Sequence, residues 1–170
     1  IMRIDEGLDT GDILSTWETE IGPEENAVDL GTRLAQAGAD LLVQTLADLG
    51  SVQPQPQDDA QATYAPILKK EDGKIDWQLP AQQILNRIHG FEPWPGGYGF
   101  LRGQRFQICK AALAELKLPP GALRTVNRKL YAGCGDQSLE LQEVQLEGKK
   151  RMPSAAFLNG FQVAADEVLQ

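Results

Sequence analysis

Residues 51–62, Ser-Val-Gln-Pro-Gln-Pro-Gln-Asp-Asp-Ala-Gln-Ala, divide this 170-residue chain into two parts that must build their cores separately. The stretch has no apolar periodicity, and its prolines hold it extended, so it reads as an exposed linker and a domain boundary. Charge changes across it. Residues 1–68 hold 2 Lys/Arg against 13 Asp/Glu, whereas residues 69–170 hold 14 against 11. That split indicates two units in different surroundings. The second could face a polyanion, although its excess is too small for charge alone to establish nucleic-acid binding.

Upstream of the linker, Ile13, Ser15, Trp17, Thr19 and Ile21 alternate with Leu14, Thr16, Glu18 and Glu20, a period of two that predicts a strand. Gly22-Pro23 ends it. Asn26 can cap a helix, with Asp29 completing a capping box. Leu30, Leu34, Ala37, Leu41, Thr45 and Leu49 follow at helical spacing, widened by Leu42 and Leu46, and Gly50 is a natural stop. So wide a stripe needs a sheet to cover it, and one or two strands do not supply one. Before the strand, Ile1-Met2-Arg3-Ile4 meets an acidic turn held between Gly7 and Gly11. Glycine there allows close approach, so Asp9 can be placed at the mouth of a sheet.

Downstream, Lys69-Lys70-Glu71-Asp72-Gly73 is a charged turn, followed by a short strand from Lys74 to Trp77. Pro80 opens a helix carrying Ile84, Leu85, Ile88 and Phe91 on one face. Pro93-Trp94-Pro95-Gly96-Gly97 stops it, with Trp94 expected to be packed between helix and sheet. Five short strands are predicted at residues 98–101, 105–111, 121–125, 129–132 and 139–146, with a bulge near Gln142-Glu143 where the apolar phase changes. Their Gly-marked bends suggest a small open β-barrel of the oligonucleotide-binding kind. Ser154 should cap a closing helical turn, and the last ten residues read as a loose tail.

Several chemistries are excluded by count. No apolar run approaches the roughly 18 residues of a membrane span. Cys109 and Cys134 make neither a CxxC nor a disulfide framework and read as buried free thiols. One histidine, His89, leaves no multi-histidine metal site, and it reads as part of a polar helix face.

As strings, Ile1 to Leu14, Thr63-Tyr64-Ala65-Pro66, Lys70-Glu71-Asp72-Gly73 with Ile75-Asp76-Trp77, and Phe91-Glu92-Pro93-Trp94-Pro95-Gly96 resemble the folate-dependent formyltransferases, the methionyl-tRNA formyltransferases in particular. So do Ala132-Gly133-Cys134-Gly135-Asp136, Val144 to Met152 and Phe157-Leu158-Asn159-Gly160, in the same order. The resemblance implies an α/β plus β chain. Residues 1–50 would be the end of a Rossmann-like formyltransferase domain, 51–62 the linker and 63–170 the OB-like C-terminal barrel.

The same resemblance implies a transferase that moves a formyl group from 10-formyltetrahydrofolate, without a metal, to the amine of methionyl-initiator tRNA in translation initiation. It implies a cytoplasmic enzyme, a monomer at full length, with no membrane or DNA partner. Asp9 would be the family's catalytic aspartate. The family's catalytic Asn and His precede the opening signature and lie outside this sequence, as does most of the folate site, and His89 is not that histidine. This piece alone is therefore expected to be inactive. Lys149, Lys150, Arg151, Lys69 and Lys70 would contact the tRNA. Two other readings stay open: a formyltransferase acting on an amino sugar, and a non-catalytic tRNA- or RNA-binding module.

Overall fold

The structure, a computed structural model, describes residues 1–170 and divides into two units, Ile1–Ile67 and Leu68–Gln170. The first unit is built on one long helix, α1 (Ala27–Ala47). Its N-terminus forms as its residues dictate. The Asn26 side chain accepts from the amides of Val28 and Asp29 at 2.8 and 3.0 Å, and the Asp29 carboxylate returns to the Asn26 amide. The helix ends at Ala47 with Asp48 as its cap, short of the expected stop at Gly50.

Arg33 fixes the approach to this helix. Its guanidinium meets Glu25 at 2.8 Å from both Nε and Nη2 and also reaches Thr19 and the Glu20 carbonyl. Most of the apolar stripe is uncovered: Leu34, Leu42, Val43, Leu46 and Leu49 are exposed. Thr45 alone is buried in α1, bonded to the Ser15 hydroxyl and the Leu41 carbonyl.

The strand expected over residues 13–21 forms no ladder. Ile13 makes isolated antiparallel bridges to Met2 and to Gln55, and residues 16–20 are exposed without sheet partners. Period-two alternation specifies which faces a strand would show, but a ladder also needs a partner strand to bond. The Gln/Pro segment does not run free of the first unit. Gln55 exchanges two backbone hydrogen bonds with Ile13, at 2.8 and 2.9 Å. Pro54 and Pro56 beside it lack the N–H groups that would face away from Ile13, so no further strand can pair through them on that side.

The second unit is a sheet of six strands packed on a helix. A 3-10 turn, Lys70–Gly73, leads to Ile75, whose amide bonds the Tyr98 carbonyl at 2.8 Å. Then come α2 (Ala81–Gly90), β1 (Gly97–Leu101), β2 (Gln104–Ala114), β3 (Leu123–Val126), β4 (Lys129–Gly133), β5 (Ser138–Leu146), β6 (Met152–Pro153) and α3 (Ser154–Gly160). The ladder order is β1-β2-β5-β4-β3, all antiparallel, with β6 added to β5. It is an open sheet, and the strand pairings do not close into the expected OB-like barrel.

The bulge falls where the phase of β5 changes. Ile108 pairs with Val144, Lys110 with Glu143 and Ala111 with Leu141, leaving Cys109 and Gln142 out of register. The core joins Ile84 and Ile88 of α2 to Phe106, Ile108, Leu130, Leu139, Leu141 and Val144, with Phe157 of α3 at its end.

Three expectations change here. Pro80 caps α2 instead of occupying its first turn. Ser154 is the first residue of α3, and its buried hydroxyl donates to the Leu141 carbonyl. The last residues are not loose. Gln170 exchanges hydrogen bonds with Phe100 of β1, at 2.8 and 3.0 Å. The Leu169 amide donates to Gly121 and the Glu167 carbonyl accepts from Leu123 of β3, both at 2.8 Å. The tail thus joins the two outer strands of the sheet. Leu169 is buried in the core, and Arg102 holds Glu167 while lying 4.4 Å from the centre of the Phe161 ring.

Candidate functional site

The opening of the chain folds back on itself. The Arg3 amide donates to the Asp12 carbonyl at 2.9 Å and Leu14 to Ile1 at 2.8 Å, so residues 4–11 form a loop between two short extended pieces. Gly11 must be glycine, because an added Cβ would land on the Arg3 carbonyl. Asp5 organises the near side of the loop, accepting from the Gly7 amide at 3.0 Å and from the Thr10 hydroxyl.

Asp9 stands at the far side with φ 57°, in the left-handed region that L-residues with a Cβ rarely adopt. Its side chain is exposed and has no hydrogen bond or ion pair within the chain. Its backbone is anchored from a distance: Gln57 Nε2 donates to the carbonyls of Asp9 and Gly11, each at 2.8 Å. Sequence reasoning missed Gln57. It lies 48 positions away in a run of similar Gln and Pro residues, and nothing local distinguishes it from Gln53 or Gln55.

The basic residues are placed unevenly. Lys149 and Lys150 lie exposed on the turn between β5 and β6, shaped by Gly148 at φ 73°. The Lys149 carbonyl is tied to the Gln145 side chain at 2.9 Å. Arg151, expected beside them as a phosphate contact, has its guanidinium committed elsewhere. Its Nε meets Glu143 and its Nη1 meets Glu92, both at 2.6 Å, and Nη2 points to the Cys109 carbonyl. Arg151 therefore straps the strand pair to the turn after α2, and the open cations here are Lys149 and Lys150. Lys69 and Lys70 are exposed at the start of the 3-10 turn, where the Lys69 amide donates to Asp72 at 2.7 Å.

The remaining candidates are structural. Cys109 and Cys134 are free and buried. Burial pushes their thiols up to about 11 and about 12, with Arg151 partly offsetting the effect at Cys109 and Asp136 adding to it at Cys134. Thiols raised in this way stay protonated near neutral pH, as expected of buried structural cysteines. His89 is half-buried near the end of α2. Trp94 is 56% exposed, contrary to the packed position expected of it. No cluster of three His, Cys, Asp or Glu side chains could hold a metal ion, and no helix is long and apolar enough to cross a membrane. A shallow groove of about 510 Å³ lies between Lys74–Gln78, Pro120 and Val168–Gln170, and none of the residues above lines it.

The chain is 54% identical to methionyl-tRNA formyltransferase of Solibacter usitatus over 99% of its own length and 55% of that protein. It is 52% identical to that of Koribacter versatilis, over 94% and 52%. The chain thus spans about half the length of the curated relatives it matches. HypX from Aquifex aeolicus, solved in complex with tetrahydrofolic acid, superposes with a TM-score of 0.69 at 18% identity, over 92% of this chain and 29% of that one. An N-formyltransferase from Helicobacter canadensis gives 0.64 at 16%, over 82% and 53%. At such identities the likeness is one of fold. The family described as formyl transferase, C-terminal domain, matches residues 67–162, more than half of the sequence, and the chain belongs to it.

Proposed function

We propose that this chain is the C-terminal part of a methionyl-tRNA formyltransferase. The complete enzyme transfers a formyl group from 10-formyltetrahydrofolate to the amine of methionyl-initiator tRNA, without a metal, in the bacterial cytoplasm. The observation that supports this most is identity of 54% and 52% to methionyl-tRNA formyltransferases along 99% and 94% of the chain, across both units.

The reaction sets definite demands. The amine attacks a formamide carbonyl, the carbonyl oxygen gathers negative charge, the attacking nitrogen sheds a proton and the leaving folate nitrogen gains one. A carboxylate beside an imidazole favours the imidazolium and lets protons be exchanged in place, while an amide donor steadies the oxyanion. Asp9 takes the carboxylate's part in this reading, with the Asn and His of the family supplied by the rest of the enzyme. Its exposed, unpaired side chain on an anchored loop suits that part, because nothing within the chain competes for it.

Lys149, Lys150, Lys69 and Lys70 contribute phosphate contacts to the tRNA, which position it without reading sequence. Arg151 belongs to the same set, held beside the first two by its ion pairs with Glu92 and Glu143. The test is formylation by the full-length enzyme of charged initiator tRNA against sugar-nucleotide amines. Turnover of the tRNA supports the reading, and preference for the amino sugar overturns it. Salt-sensitive tRNA binding without any turnover would replace it with an RNA-binding module.

A further inference from the structure

We propose that Gln57 is the positioning residue of the Asp9 loop, holding Asp9 in its left-handed conformation and so fixing the direction of its carboxylate. The functional half of this inference rests on the reading of Asp9 given above. The structural half does not.

The argument begins with register. Ile13 and Gln55 pair antiparallel through both backbone hydrogen bonds, which places Gln57 opposite Gly11. Continued pairing there would tie the loop through the main chain, yet the ladder stops, and the Gln57 side chain takes its place. Its amide nitrogen carries two protons and meets two acceptors, the Asp9 and Gly11 carbonyls, each at 2.8 Å. The two carbonyls flank Thr10, so one amide group clamps the turn across the residue that follows Asp9. Within residues 4–11 the other side-chain ties are those of Asp5 to Gly7 and Thr10. A non-glycine residue in the left-handed region persists when its surroundings over-determine it. Gln57 supplies that constraint from outside the loop.

The chemistry of the contact is narrow. Asparagine is one methylene too short to reach from the same backbone. Glutamate would set a carboxylate against two carbonyl oxygens. Alanine leaves both carbonyls to water, which is available because the loop is exposed. None of these variants disturbs a core, since Gln57 itself is exposed. Gln55 provides the control: it is held by its backbone, so Gln55→Ala keeps the anchor and leaves the clamp intact.

The experiment compares full-length wild type, Gln57→Ala, Gln57→Glu and Gln55→Ala in two ways. Backbone ¹⁵N relaxation reads the order of residues 7–11, and steady-state kinetics reads formyl transfer to methionyl-tRNA. In Gln57→Ala and Gln57→Glu the order parameters of the loop should fall from the rigid range toward below about 0.6. A carboxylate left mispositioned by the freed loop should lower kcat about tenfold, with KM for the tRNA unchanged. Gln55→Ala should match wild type in both. An ordered loop in Gln57→Ala overturns the proposal whatever the reaction. A mobile loop with unchanged kcat overturns its functional half. Should the wild type fail to transfer formyl groups, the assignment of function falls, and the relaxation comparison still decides whether Gln57 holds the loop.

Discussion

At Asp9, the left-handed backbone of a residue with a Cβ costs about 1–3 kcal/mol. Glycine would adopt the same conformation without that cost, so Asp9→Gly should leave the protein as stable as wild type or more so while removing the carboxylate. In the full-length enzyme, Asp9→Asn should lower kcat by about 100-fold or more with little change in tRNA affinity. An unchanged rate would make Asp9 a turn residue. Glu25 offers a second residue-scale test, through pH. Its bonds to Arg33 first, then to the Gly22 amide, hold its carboxyl down to about 2 from an ordinary 4.5. A lowered folded-state value means that the stabilisation is fully present above 4.5 and is lost as pH falls toward 2. Acid titration followed by amide exchange at the start of α1 should show loosening in that window. Glu25→Gln should show a pH-independent, already loosened helix start.

Among the elements, α1 and the sheet of the second unit respond differently to the same kind of substitution. Leu141 is fully enclosed by the sheet, α2 and α3, so Leu141→Ala should cost about 2–5 kcal/mol in chemical denaturation. Within residues 1–170 alone Leu42 on α1 is 42% exposed, and there its replacement by Ala should cost well under what Leu141→Ala costs. The β5–β6 turn carries its own prediction. Neutralising Lys149 and Lys150 together should reduce the salt slope of tRNA binding by about 2 and weaken binding to different tRNAs alike. An unchanged slope would return both lysines to solvent.

These elements also show why some of the fold could be read from sequence and some could not. The cap of α1 and the strands from residue 97 to 146 rest on local chemistry: Asn26 with Asp29, and alternation broken by Gly and Asn turns. Even the bulge is visible as the phase change at Gln142-Glu143. Residues 13–21 alternate just as well and form no ladder, because pairing depends on partners that no local pattern reveals. Arg151 looked like a third open cation beside Lys149 and Lys150. Only the fold brings Glu92, 59 positions away, against it. Asp9 stood out as a candidate from its flanking glycines and the resemblance they carry. Gln57 was not, since a single side-chain amide bonding two distant carbonyls leaves no periodic trace.

On the scale of the whole molecule, the stretch joining the two units is accessible: Tyr64 is 87% exposed and Ile67 88%. Brief chymotrypsin treatment should cut after Tyr64 and leave a resistant C-terminal piece that contains all six strands, detectable by mass. Cutting inside β2 or β5 at similar rates would contradict two separately cored units. The C-terminal tail has a consequence beyond its hydrogen bonds. An exposed strand edge is a template on which a second molecule can add its own strand. By bonding Phe100 of β1 and Leu123 of β3, Glu167–Gln170 cover part of both edges, with Arg102 fastening the segment that does so. These four residues therefore act against self-association. Their removal, or a charge-reversed Arg102, should appear first as concentration-dependent aggregation and only afterwards as a lower melting temperature.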